Sequence, residues 1–290
     1  MAMDKTEKIE KLDHYVIKTL ENLPAWKYPE QKIKKSNLNI FMGSGDAANT
    51  AKIFAQILGG HALNVCNYQT FFGNGPDRES DVYILNASGG KDGLKMAQWL
   101  TENGWQPKLL TNNPEPPAGK FLKAQDVFIF PAIIEPPTYN ISTYASMIYW
   151  LLNEDLGTIK NTINELKIPD LRKYKFIFFM VQDKYETIGR MATRKIAETL
   201  ANLGANGCGY SNAVHGMLIQ PNQDRLVFCL NCKYEGPGDS YELNIDSFLG
   251  SLLCILYIIG KNQTDQDSEN ILKNYFDNAK KQGWEFNKIW

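Results

Sequence analysis

The chain has 290 residues, 43% of them hydrophobic and 22% charged, the balance of an ordinary globular protein with room for one large or two small domains. A net charge of -1, with lysines interspersed among acids rather than gathered in a block, argues against a nucleic-acid binder. Met1 to Asn22 is charged and lacks a signal-type apolar core, and the longest apolar run, Leu252 to Ile259, falls far short of the roughly 20 residues of a membrane span; the expectation is a cytoplasmic protein without a membrane partner.

Thr6 to Leu23 reads as a helix with Ile9, Leu12, Val16, Leu20 and Leu23 on one apolar stripe and His14 off it, on the surface. From Asn37 short apolar runs alternate with helical segments: Leu38 to Met42 then Asp46 to Leu58, Val82 to Leu85 then Asp92 to Asn103, Lys108 to Leu110, and Val127 to Phe130 then Ser142 to Leu152. This βαβ rhythm implies an α/β protein whose parallel sheet is covered on both faces. Pro114 to Pro117 and Pro136-Pro137 read as loops, because proline lacks the N–H that a ladder or helix interior requires.

A polar stretch from Glu165 to Lys175 separates this half from a second strand-helix start, Phe176 to Val181 followed by Thr187 to Leu203. Gly207 to Tyr210, Leu226 to Leu230 and an apolar helix from Ile245 to Ile259 continue the second half, which shows fewer strands. The expected organisation is an N-terminal helical segment over 1–36, a first subdomain over 37–165 and a second over 166–290, with a last helix from Asn270 to Lys281. The helix from Ile245 to Ile259 carries more apolar surface than a small domain usually buries, which fits a packed core or an interface. Gly283 to Trp290 forms an aromatic tail, expected to fold over a pocket, a dimer seam or the core.

Five cysteines, an odd number, read as reduced thiols. Cys229 and Cys232 form the one suggestive pair; placed late in a strand, they should point to opposite faces, and no second pair completes a metal set, so a structural role is expected and no metal site.

Two glycine-bearing turns follow strand-like runs and open helix-like ones. In Gly43-Ser44-Gly45-Asp46-Ala47 the glycines permit tight turning, and the following helix offers free N–H groups and a positive dipole end to an anion. Helix packing, with Asp46 as a cap, is the equally plain alternative for that turn alone. In Asn86-Ala87-Ser88-Gly89-Gly90-Lys91 an amide, a hydroxyl and an ammonium surround the glycines where a strand delivers its carboxyl end, the place where open α/β sheets bind ligands. In the second half Lys195 and Glu198, at i, i+3, share a helix face. His215, seventeen residues past Glu198, precedes Gly216. The plain readings are a solvent-facing ion pair and a turn histidine.

These residues together resemble the sugar isomerase (SIS) family in a two-copy arrangement, similar to the isomerase half of glucosamine-6-phosphate synthase and to the archaeal phosphoglucose isomerases. The resemblance spans roughly Asn37 to Gly260 in the order of its parts and implies two flavodoxin-like three-layer (αβα) subdomains with parallel sheets. It assigns sugar-phosphate contacts to Gly43, Ser44, Gly45, Asp46, Ala47, Asn86, Ser88, Gly89 and Lys91, and to Ser142 and Thr143 after Glu135. Lys195, Glu198 and His215-Gly216 match the Lys-X-X-Glu helix and His-Gly of the second copy. Ala47 stands where a hydroxyl residue is usual, Asn86 replaces a serine and Lys91 a threonine, so the anion site is altered, with Lys91 restoring positive charge.

The resemblance implies aldose–ketose isomerisation of a sugar phosphate through an enediol, with Glu198 as base, Lys195 polarising sugar oxygens and His215 assisting ring opening from its own or the neighbouring subunit. It implies no cofactor, a small sugar-phosphate partner, and a homodimer or larger even oligomer. A fructosamine-phosphate deglycase, or an amino-sugar-phosphate isomerase, would use the same parts. A sugar-phosphate sensor without catalysis is the alternative from another class, supported by the altered turns and opposed by the retained Lys195, Glu198 and His215.

Overall fold

The computed structural model describes residues 9–136, 138–200, 202–213 and 223–281. The tail from Gly283 to Trp290 and His215-Gly216 lie outside the described residues.

Runs such as Ile40–Gly43 (β1) and Val82–Leu85 (β3) are buried at every position, as strands covered on both faces must be. With His61–Asn64 (β2), Lys108–Thr111 (β4) and Val127–Ile129 (β5) they form a five-stranded sheet in the order β2-β1-β3-β4-β5, parallel throughout. Period-two alternation splits its side chains between two cores: Phe41, Tyr83, Leu85 and Leu110 on one face, Ile40, Met42, Val82, Ile84 and Leu109 on the other. The helices Asp46–Leu58 (α2), Tyr68–Gly73 (α3), Lys91–Glu102 (α4), Ile141–Leu152 (α5) and Leu156–Glu165 (α6) belong to this half.

The second half repeats the plan. Phe176–Val181 (β6), Gly204–Gly209 (β7), Arg225–Leu230 (β8) and Asp239–Leu243 (β9) pair in parallel in the order β7-β6-β8-β9. That is the first sheet's order of use without its fifth strand. Glu186–Thr199 (α7), the single turn Tyr210–Asn212 (α8), Phe248–Lys261 (α9) and Asp265–Lys281 (α10) complete it. The expected fold class, two three-layer α/β units with parallel sheets, is therefore present.

Four elements carried too little signal in the sequence. β2 and β9 are edge strands with one buried residue each, so neither shows an apolar run. α3 is only six residues long, and α6 buries only Ile159 and Ile163 and is started by the Asp155 carboxylate, which accepts from the Gly157 and Thr158 N–H groups. The apolar helix expected from Ile245 begins instead at Phe248. Ser247 caps it, accepting from Gly250 N at 2.6 Å, and Glu154 accepts from the N–H groups of Phe248 and Leu249, each at 2.9 Å. Every residue of α9 from Phe248 to Leu256 is buried, in the largest core, so its apolar surface is consumed inside the chain.

Helix α1 (Leu12–Asn22) keeps the expected stripe: Ile9, Leu12, Val16, Leu20 and Leu23 are all buried, and His14 is exposed. Its partner is α9, far along the chain. Leu12 N–H donates to Gln263 Oε1 at 2.6 Å, Lys261 Nζ pairs with Asp13 Oδ2 at 2.9 Å, and a methyl on Gly260 would lie 2.1 Å from Asp13 N. The glycine is what lets the helices touch. No helix among the described residues is long and apolar enough to cross a membrane.

Candidate active site at the carboxyl end of the first sheet

Strand order reverses between β1 and β3: from β1 the chain goes outward to β2, and the next strand returns to β1's other side. The turns that leave β1 and β3 flank the crevice this reversal creates, the place where open α/β sheets accept ligands. Gly43 closes β1 against α2, since a methyl there would lie 2.7 Å from the Ala47 carbonyl carbon. Gly45 has φ +58 and no side-chain cap stands at the α2 N-terminus, leaving N–H groups of the first turn to other acceptors.

The second turn is built similarly. Gly89 has φ +62 and a methyl there would lie 2.3 Å from Pro116 Cβ, so the Pro114 to Pro117 loop packs directly on it. Asn113 Nδ2 donates to Ser88 O at 2.9 Å, and Ser88 Oγ donates to Asn86 Oδ1 at 3.3 Å while accepting from Gly90 N at 3.2 Å. Ser88 and Lys91 are exposed, and Lys91 opens α4 at φ +23, a backbone strain of the kind that clusters at functional positions.

The Lys195–Glu198 pair enters this crevice from α7. Lys195 is 3% exposed, so the plain reading of a solvent-facing pair does not hold. Its ammonium donates to Asp46 Oδ2 at 3.2 Å, Glu198 Oε2 at 3.0 Å, Thr138 O at 2.5 Å and Tyr139 O at 3.0 Å. Burial alone would lower its pKa; the Asp46 and Glu198 charges outweigh that and raise it. Burial likewise would raise the Glu198 carboxyl, but the Lys195 charge and the Arg194 guanidinium hold it below the ordinary glutamate range. Asp46 thus serves as the ion-pair partner of Lys195 rather than as a helix cap, and its Oδ1 is buried without a hydrogen-bond partner among the described residues.

Ser142 and Thr143 are fully buried and already engaged. Glu135 accepts from Ile141 N at 3.0 Å, Ser142 N at 2.8 Å and Ser142 Oγ at 2.5 Å, which substitutes for the missing local cap of α5. Asn112 Nδ2 donates to Thr143 Oγ1 at 2.7 Å. Burial pushes the Glu135 carboxyl up to about 7 against the pull of these bonds and of Lys195. Ala47 is 1% exposed and brings no polar side-chain atom to the turn.

Three site residues carried no distinguishing mark in the sequence. Arg194 donates from Nε to Glu198 Oε1 at 2.7 Å and lies so close over the first turn that a methyl on Gly45 would meet its Nη1 at 1.9 Å; its i, i+4 spacing reads as an everyday helix pair. Tyr144 is 6% exposed, lies beside the Ala87 backbone and feels the charges of Asp46, Arg194 and Glu198, and burial raises its pKa well above the ordinary tyrosine value. Glu135 caps a helix start from six residues away, a distance no local capping pattern covers.

Outside this crevice, Cys229 and Cys232 depart from the expected opposite faces. The strand ends at Leu230 and Asn231 turns left-handed at φ +54, which brings Cys232 against the same small core as Cys229. Cys232 Sγ also donates to Met180 O at 3.2 Å.

No protein-family model and no curated protein sequence matches the chain. Solved structures do. A tagatose-6-phosphate ketose/aldose isomerase from Escherichia coli superposes with a TM-score of 0.57 at 13% identity, covering 89% of this chain and 88% of its own. A glucosamine-6-phosphate deaminase from Thermotoga maritima gives 0.54 at 14% identity over 91% of each chain. The C-terminal domain of a glucosamine-fructose-6-phosphate aminotransferase from Francisella tularensis gives 0.55 at 13% identity, over 89% of this chain and 95% of that one. At these identities the likeness establishes a shared fold along nearly the whole chain.

Proposed function

We propose that this chain is a two-copy sugar isomerase family protein that interconverts aldose and ketose sugar phosphates by proton transfer through an enediol. The observation that carries this reading is the Lys195–Glu198 pair, delivered by α7 of the second half to the glycine turn of the first, with Lys195 Nζ 3.2 Å from Asp46 Oδ2. A buried lysine and a carboxylate between two anion-accepting helix starts is the equipment that an enediolate requires. The solved relatives act on sugar 6-phosphates according to their names, which supports the same substrate class here.

Glu198 is the base. Its depressed pKa keeps it ionised at neutral pH, so it can take a proton from the carbon next to the carbonyl and return it to the neighbouring carbon. The two C–O positions exchange oxidation level and no atom is lost. Lys195 holds the developing enediolate oxygen, and His215 assists ring opening, in a homodimer or larger even oligomer with subdomains meeting near residue 165. The phosphate sits between the α2 and α4 starts, where the helix dipoles favour an anion.

A sensor without turnover is the second reading. It is favoured by the Glu198 carboxylate, both of whose oxygens are occupied. A coupled isomerase assay over hexose, pentose and amino-sugar phosphates separates the two: turnover of any member supports the isomerase, and binding without turnover across the panel supports the sensor.

A further inference from the structure

We propose that Arg194 is the residue that reads the substrate's phosphate, and that its movement from Glu198 to that phosphate releases the base. The inference rests on the isomerase reading for what Glu198 does, and on geometry alone for where Arg194 is.

The guanidinium lies over the first glycine turn. Gly45 carries no side chain, and the space a methyl would occupy there is taken by Arg194 Nη1, with the guanidinium carbon 2.7 Å from that point. An anion seated on the free N–H groups at the α2 start is therefore beside a planar fork of donors suited to phosphate oxygens. The sequence change next door fits: Ala47 brings no hydroxyl to this turn, and a guanidinium from the other half supplies donors in its place. Tyr144, which feels the Arg194 charge, also lies beside the Ala87 backbone of the second turn.

Its present partner makes the position mechanistic. Arg194 Nε holds Glu198 Oε1 at 2.7 Å, and Lys195 holds Oε2 at 3.0 Å. A carboxylate whose two oxygens both accept from cations is a weak base toward a C–H bond. Lys195 is pinned by Asp46 and two carbonyls as well and cannot leave. The Arg194 side chain is 48% exposed, reaches the anion seat without crossing the core, and can leave. The charges of Asp46, Glu198, Lys195 and Arg194 cancel, so an arriving phosphate draws on the two helix starts for its surplus attraction, and on Arg194 for directed hydrogen bonds. Binding and base activation become one event: a sugar lacking phosphate leaves Glu198 clamped.

The test uses inorganic phosphate as probe on the full chain, with Arg194→Ala and Arg194→Lys. Calorimetry is expected to show phosphate binding to the wild type that weakens by ~10-fold or more in Arg194→Ala and is partly retained in Arg194→Lys. The Glu198 carboxyl, followed by carbon NMR and assigned by its loss in Glu198→Gln, should titrate at higher pH when the wild type is saturated with phosphate. It should already titrate higher in Arg194→Ala without ligand. A merely structural arginine would move neither signal together with phosphate. Failure of the wild type to bind phosphate, equal phosphate affinity in Arg194→Ala, or a Glu198 titration that phosphate does not move overturns the proposal. The isomerase reading fails separately: Arg194-dependent phosphate binding with no turnover of any sugar phosphate keeps the arginine's assignment and discards the isomerase, whereas turnover with a KM indifferent to Arg194 does the reverse.

Discussion

Lys195 on α7 and Asp46 at the start of α2 lie 149 residues apart in sequence and 3.2 Å apart in space, with side chains 3% and 10% exposed. One buried ion pair therefore fastens the helix that carries the candidate base to the turn that carries the candidate anion seat.

Breaking that pair from one side should be costly. Lys195→Met leaves Asp46 and the second oxygen of Glu198 without their cation, and is expected to destabilise the protein by about 3–5 kcal/mol. Lys195→Met combined with Asp46→Leu should recover part of the loss, because no orphaned charge remains at Asp46. Urea unfolding of the single and double variants measures both; equal stability of Lys195→Met and wild type would mean that the pair is not closed in solution.

Glu198→Gln keeps the shape of the side chain and its contact with Arg194 but cannot accept a carbon-bound proton. Turnover of whichever sugar phosphate is accepted should fall by ~10²–10⁴-fold, while ligand affinity stays within a few-fold. Calorimetry beside the coupled assay separates the two quantities, and wild-type activity in the variant would end the base assignment.

Gly45→Ala tests the turn itself. At φ +58 an alanine is strained by about 1–3 kcal/mol, and its methyl must displace the Arg194 guanidinium. The expected result is a loss of phosphate binding larger than that strain accounts for. An unchanged phosphate affinity, measured alongside the melting temperature, would show that the arginine does not need this place.

Glu135 should leave a mark on stability against pH. Its carboxyl is raised from 4.5 to about 7 by burial, so folding takes up a proton between those values. Stability should be highest near pH 4.5 with respect to this group, fall as pH rises to 7, and then level off, a total of about 3 kcal/mol. Glu198, whose pKa is lowered, acts in a separate window: its contribution is present above its unfolded value and is lost as pH falls through its folded one. Glu135→Gln should remove the decline between pH 4.5 and 7, as read by denaturant titrations at both ends.

Buried strands such as Val82–Leu85 and Phe176–Val181, and helix α2, were legible to the residue because continuous apolar runs and glycine turns bound them. β9 was not, because an edge strand reading Asp-Ser-Tyr-Glu-Leu has one buried residue and no alternation strong enough to rise above a loop. At the site, the spacing of Lys195 and Glu198 was visible, whereas their burial was not, since it depends on Asp46, Thr138 and Tyr139 arriving from more than fifty residues away. Arg194 reads as an ordinary helix partner for the opposite reason: its local partner Glu198 explains it fully until Gly45 is seen beneath it.

The bond from Leu12 to Gln263 spans 251 residues, and this sets an order on synthesis. The apolar stripe of α1 leaves the ribosome well before its seat on α9, Gly260 and the face around it, has been made. Until those residues emerge the stripe can meet α5 but lacks its seat on α9, and closing so long a loop is slow. The nascent first half is thus a species with a partly unpacked amphipathic helix, and the yield of folded protein in a cell will depend on what shields Leu12, Val16 and Leu20 until residue 263 is delivered.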